Sequence, residues 1–260
     1  RSFSLEYNIS SDLDSCSNKT FEVSATCIGM SENFPPGVKL ESGQGSIRLG
    51  CIYNTTTHEI FNSIQAAIDA TSTQIAHRIV VCPGHYKERV NVTKPLTIES
   101  KNGPLETTVS SPDGNSVFTI SEPATKIAGF TISGAKLLEA SGVHINGDGS
   151  TGAELNNNKI IGNYIGVLMS NTNGCTIGNY IKGNQNIILG NTLAGIKLSN
   201  SYDNQIKSNY IGIDANNTIS LPNGNFGIYV TNGSYDNIIG QSYNNTAVGN
   251  VISGHSLAGI

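Results

Sequence analysis

Gly227-Ile228-Tyr229-Val230, followed by Asn237-Ile238-Ile239-Gly240 and then Gly249-Asn250-Val251-Ile252-Ser253-Gly254, is one copy of a phrase that fills the second half of the chain. Earlier copies open at Gly142-Val143-His144-Ile145, Gly166-Val167-Leu168-Met169 and Gly195-Ile196-Lys197-Leu198, and a last one begins at Gly259-Ile260. The openings are 24, 29, 32 and 32 residues apart, a period typical of solenoids. Each copy holds about three short strand-like runs separated by Gly, Asn and Ser, residues that tolerate the left-handed backbone a sharp corner needs. No helical period interrupts them. A leucine-rich horseshoe would need Leu-x-x-Leu-x-Leu spacing, and a propeller would need aromatic anchors in a chain that has no Trp.

The fold class expected is therefore all-β, a right-handed parallel β-helix in which every strand pairs with its equivalent one coil above and below. Val143, Ile145, Val167, Met169, Ile196, Leu198, Ile228 and Val230 are expected to form its inward row. Asn163, Asn191, Asn209, Asn225 and Asn250 lie beside Gly or Ser at the corners, where stacked amides can hydrogen-bond along a ladder.

Three segments are expected. Residues 1–55 carry no repeat and read as an irregular, disulfide-bonded N-terminal extension or cap. Thr56-Thr57-His58-Glu59 has the form of a capping box, which predicts a capping helix over 56–71 with Ile60, Phe61, Ile64, Ala67 and Ile68 on one face. Such a helix would cover the open end of an apolar core that otherwise exposes strand edges. Coils fill 72–260. Ile260 falls one strand into a new coil, so this end is expected to be uncapped or truncated, or to associate end to end with another subunit as in a filament.

The 260 residues include only 13% charged side chains and a net charge of −4, without a basic run. Nucleic acid is thereby excluded as the expected partner, and no apolar run is long enough to insert in a membrane. Cys16, Cys27, Cys51 and Cys82 fall in the first third without a close Cys-x-x-Cys pair, so disulfides are expected in preference to a metal site. Cys16 with Cys27 and Cys51 with Cys82 is the preferred of three connectivities, which leaves Cys175 as a buried thiol. Asn8, Asn18, Asn54, Asn91, Asn216, Asn232 and Asn244 each begin an Asn-x-Ser/Thr sequon, the acceptor pattern for N-glycosylation. Together these predict an extracellular or cell-surface, secreted location.

Ser63-Ile64-Gln65-Ala66-Ala67-Ile68-Asp69-Ala70 leading to Pro83-Gly84-His85-Tyr86-Lys87-Glu88 resembles the opening of pectin methylesterases and other pectin-lyase-like β-helix proteins. Asn209-Tyr210-Ile211-Gly212-Ile213-Asp214 and Gly249–Gly254 are similar to the repeats of bacterial and archaeal surface β-helix proteins. The resemblance spans 60–260 and implies the fold. Pectin methylesterases use two Asp and an Arg in phrases such as Asp-Phe-Ile-Phe-Gly, and these are missing here: no Arg follows Arg89. The paired carboxylates of a glycoside hydrolase and the Ca²⁺ carboxylates of a pectate lyase are missing too.

The remaining polar residues are read as structural. His255 occupies a corner Asn position, because Gly254-His255-Ser256-Leu257-Ala258-Gly259-Ile260 aligns with Gly190-Asn191-Thr192-Leu193-Ala194-Gly195-Ile196. His144 is expected to face outward. Asn146-Gly147-Asp148-Gly149-Ser150 reads as a Gly-rich turn, not a Ca²⁺ loop. Tyr86 and Glu88 read as coil packing and solvent contacts, and Tyr164, Tyr180, Tyr210 and Tyr229 as outward aromatics able to stack on sugars. No catalytic residue, metal or cofactor is assigned. The function expected is a structural or adhesive glycoprotein with glycans as partners; the alternative is a polysaccharide-active lyase, esterase or hydrolase, or a carbohydrate-binding module, with Glu88, Asp214 and Asp236 as the acids to test.

Overall fold

The computed structural model describes residues 52–260 apart from 151, 182, 217, 241, 244, 245 and 248. Within them the chain winds through three sheets in turn. The first face holds Arg78–Val81, Thr97–Ser100, Lys126–Ala128, Glu154–Asn156, Thr176–Ile177, Gln205–Ile206 and Ile238–Ile239. The second holds Gly84–Lys87, Thr107–Ser110, Thr131–Ser133, Lys159–Ile161, Ile187–Leu189, Tyr210–Ile211 and Val251–Ile252, and the third Val90–Val92, Phe118–Ile120, Ser141–Ser150, Ile165–Asn173, Ala194–Ser199 and Phe226–Thr231. Each of these strands pairs in parallel with its counterpart in the next coil. This is a parallel β-helix, with the right-handed sense that parallel crossovers take.

Alternation along each strand sends every second side chain inward. Val143, Val167, Ile196 and Ile228 stand in one register column, and Ile145, Met169, Leu198 and Val230 in the next. Seven of these eight are fully buried, whereas Val230, on the last strand of its column, is 40% exposed. Each buried aliphatic side chain contributes roughly 1.5–3 kcal/mol by leaving water. Phe118 and Phe130, the two largest fully buried side chains, meet in the core with ring centroids 5.9 Å apart.

The N-terminal elements differ from the expectation. Ile60–Phe61 is a strand, antiparallel to Ile52–Asn54, which in turn pairs antiparallel with Arg78–Val81. The helix spans Ile64–Asp69, and its N-cap is Ser63, whose hydroxyl accepts from the Ala66 N–H. Thr56 does not cap a helix because Asn54 Oδ1 accepts from the Thr56 and Thr57 N–H groups and folds that stretch into a turn. Ile64, Ala67 and Ile68 are buried and belong to the same core as the coils.

The phrase around Pro83–Glu88 holds this helix in place. Glu88 accepts from the Ile64 and Gln65 N–H groups at 3.0 and 3.1 Å, a carboxylate at the positive end of the helix. Lys94 Nζ donates to the Ile68, Ala70 and Thr73 carbonyls at 2.7, 2.9 and 2.9 Å, at the other end. Tyr86 packs on the core and donates its hydroxyl to the Cys82 carbonyl.

Asparagine ladders run along all three corners. Between the second and third faces, Asn163, Asn191 and Asn223 stack. Asn191 Oδ1 accepts from the Asn163 backbone and side-chain N–H groups, and Asn223 Oδ1 does the same for Asn191. Between the first and second faces the stack is Asn158, Asn186, Asn209 and Asn250. Between the third and first it is Asn204 and Asn237, with Ser201 beside it bonding Thr172. Of the five asparagines expected in the ladder, Asn163 and Asn191 stand in one and Asn209 and Asn250 in another, while Asn225 belongs to neither. Its neighbour Asn223 takes the rung, buried, with its Nδ2 donating to the Ile188 carbonyl.

Candidate functional site

Outward positions of the third face line up as Asn91, Thr119, His144, Leu168, Lys197 and Tyr229. His144 faces outward as its place between Val143 and Ile145 requires, and its Nε2 lies 2.6 Å from Ser170 Oγ. Burial lowers the pKa of the imidazole below its ordinary value because removing water disfavours the charged ring. A neutral ring can accept the serine proton. Among the described residues, however, no carboxylate bonds the second ring nitrogen, so the pair lacks the orienting group of a hydrolytic triad.

Farther along the row, Lys197 Nζ bonds Glu139 at 2.6 Å and lies 6.0 Å from the Tyr229 ring centroid. Tyr229 stacks on Phe226 at 4.4 Å with 9° between planes. Glu139 comes from the turn before Ser141–Ser150 and crosses two coils to reach Lys197. Leu168, between them in the row, is consequently buried although it points outward. Sequence reasoning missed Ser170, Glu139 and Phe226 because their partners are one or more coils away. Tyr202 and Tyr235 form a second stack, 5.0 Å apart and 4° from parallel, at the corner leading to the first face. Tyr180 is 47% exposed, and Tyr164 and Tyr210 are half-buried.

The acids considered for catalysis are dispersed. Glu88 is spent on the helix, while Asp214 accepts from Thr218 and Ile219 in its own loop. These bonds, the Ile219 N–H first, hold its carboxyl below the usual range. Asp236 is an exposed corner residue with a left-handed backbone. His255 follows Asn223 in its corner, with Nδ1 3.0 Å from the Asn223 carbonyl oxygen. Asn146–Ser150, expected as a turn, continues the strand Ser141–Ser150, with a register shift between Asn146 and Gly149. No group of three His, Cys, Asp or Glu among the described residues could hold a metal ion.

The described sequons divide sharply. Asn91, Asn216 and Asn232 are exposed. Asn54 is fully buried, and its Nδ2 lies 3.1 Å from Thr73 Oγ1 and 3.0 Å from His77 Nδ1. A glycan on that nitrogen has no room, which corrects the expectation for Asn54. Asn8, Asn18 and Asn244 lie outside the described residues, as do Cys16, Cys27 and Cys51. Cys82 is disulfide-bonded. Cys175 is buried; its backbone N–H donates to Asn204 Oδ1, and its Sγ lies 3.5 Å from the Asn173 carbonyl oxygen. No helix among the described residues is long and apolar enough to cross a membrane.

The geometry defines a solenoid of the parallel β-helix class. A cell surface glycoprotein from Methanothermus fervidus is 36% identical over 109 residues, which cover 42% of this chain and 17% of that protein. The match thus spans under one fifth of the relative's length. Among solved structures, a pectin methylesterase from Yersinia enterocolitica is similar at 16% identity with a TM-score of 0.45, over 58% of this chain and 54% of that one. A pectin methylesterase in complex with a hexasaccharide is similar at 12% identity with a TM-score of 0.32, over 72% and 80% of the two chains. No protein-family model matches.

Proposed function

We propose that this chain is a structural and adhesive segment of an extracellular, cell-surface β-helix glycoprotein. The corner ladders carry the reading: nine buried or half-buried asparagines are engaged in holding coil to coil, which suits a stiff rod that displays its outer rows. The similarity to a cell surface glycoprotein supports the address, and three exposed sequons support N-glycosylation at Asn91, Asn216 and Asn232. Cys82 is proposed to pair with Cys51 and Cys16 with Cys27, tying the N-terminal extension to the first coil. End-to-end association of such rods through their sheets is a further proposal, which analytical ultracentrifugation tests directly.

Labelling of intact cells with a membrane-impermeant amine reagent, followed by intact mass of the isolated protein before and after glycan removal, tests the surface reading. Labelling together with a mass loss on deglycosylation is expected. An unlabelled protein without glycan mass overturns it.

A further inference from the structure

The first face carries no exposed sequon among the described residues, and it contains a polar cavity of about 210 Å³ lined by Glu99, Ser100, Lys126, Gly129, Asn156 and Asn184, among others. Its origin lies in one outward row. Glu99, Ala128 and Asn156 stand in register on three successive strands. The small Ala128, followed by Gly129, makes a dent between two long polar side chains. A Cβ on Gly129 would come within 3.2 Å of Ser100 Cβ, so the floor there is already closed.

Asn156 is the informative wall. Only 6% of it is exposed, and its amide makes no hydrogen bond among the described residues, unlike the neighbouring ladder residue Asn158. The amide borders the cavity and is open to it, so a ligand seated there can bond it. Opposite it, Glu99 is ion-paired with Arg78 yet keeps its second oxygen, and Lys126 has no ion-pair partner among the described residues. Carboxylate, ammonium and amides around one small space offer both acceptors and donors. Hydroxyl groups, which donate and accept at once, complement such a lining.

We infer that this cavity binds one neutral sugar unit of a surface polysaccharide or glycan, an inference that rests on the surface reading and supplies its adhesive contact. Hydroxyls donate to Glu99 and accept from Lys126 and Asn156, while Ala128 leaves room for the ring. Saturation-transfer NMR on the purified chain with glucose, galactose, mannose and N-acetylglucosamine, and with glycine and alanine as zwitterionic comparators, tests it. At least one sugar is expected to bind with a Kd of about 1 mM. Ala128→Leu, which fills the dent, and Lys126→Met on its half-buried rim are each expected to weaken that binding about tenfold; the second variant serves should the first fail to fold. Binding of none of the sugars, sugar binding unchanged in Lys126→Met and in any folded Ala128→Leu, or binding of the amino acids alone overturns the inference. None of these outcomes alters surface labelling or glycan mass, so the sugar site and the surface reading fail separately.

Discussion

Gly166 lies so close to Gly195 in the next coil that a Cβ on Gly166 would stand 2.4 Å from the Gly195 carbonyl oxygen and 2.9 Å from Asn191 Nδ2. The same closeness recurs at Gly142, Gly195 and Gly227, where an added Cβ would stand 2.5–2.9 Å from the carbonyl oxygen of the next glycine in the column. The glycine that opens each phrase is thus a packing requirement. Gly166→Ala is expected to destabilise by ~3 kcal/mol, the upper part of the overpacking range, measured by urea unfolding. Gly249→Ala, where nothing lies within 4 Å of the added carbon, is expected to leave stability unchanged.

Asn191 bonds above and below itself, and its Nδ2 also donates to the Ile160 carbonyl. Asn191→Ala strands buried groups on both neighbouring coils and is expected to cost ~3 kcal/mol. Asn225→Ala, off the ladder, is expected to change stability by less than ~0.5 kcal/mol. Equal effects in denaturant melts would dismiss the ladder as the coil-to-coil bond.

Glycopeptide mass spectrometry is expected to find Asn91, Asn216 and Asn232 modified and Asn54 bare. The buried Asn54 amide sits against Thr73 and His77, so a modified Asn54 would contradict this packing.

Lys94 joins three carbonyls at the end of the helix. Lys94→Met keeps the apolar stem and removes the charge-assisted bonds, with an expected loss of about 2–3 kcal/mol. Hydrogen exchange should show the increase in opening concentrated at 64–73, and uniform protection there would count against the clamp.

His144 has a folded pKa lowered by burial. Below the unfolded-state value of about 6.5, the unfolded chain takes up a proton more readily than the folded one, so stability falls as pH drops through that value towards the folded pKa. The melting temperature is expected to decline from pH 7.5 to 5.5, and His144→Gln should reduce the decline. Asp113 and Asp214, whose pKa values are also lowered, contribute only to losses below about pH 4.

The repeated Gly-x-x-x phrase made the solenoid and its inward row legible from sequence, because alternation with a period of two and recurrence every 24 to 32 residues leave few other ways to bury the same apolar set. Seven of the eight proposed inward residues are fully buried for that reason. The capping-box pattern, which describes only local donors and acceptors, predicts Ile60 and Phe61 as helical, whereas they form a strand. Asn54, two residues upstream of Thr56, took those donors and turned the chain into a hairpin.

By itself the sequence determined the class of fold, the polar corners and the positions of the sequons and cysteines, all of which follow from residue type and local period. Tertiary structure alone decided which asparagines share a ladder, that Asn54 is shut away from modification, and that Ala128 is a gap between Glu99 and Asn156. Each of these relations joins residues on different coils, where loop lengths of varying size set the register. Parallel pairing then brings together residues some 20 to 40 positions apart, a distance at which no local pattern carries information.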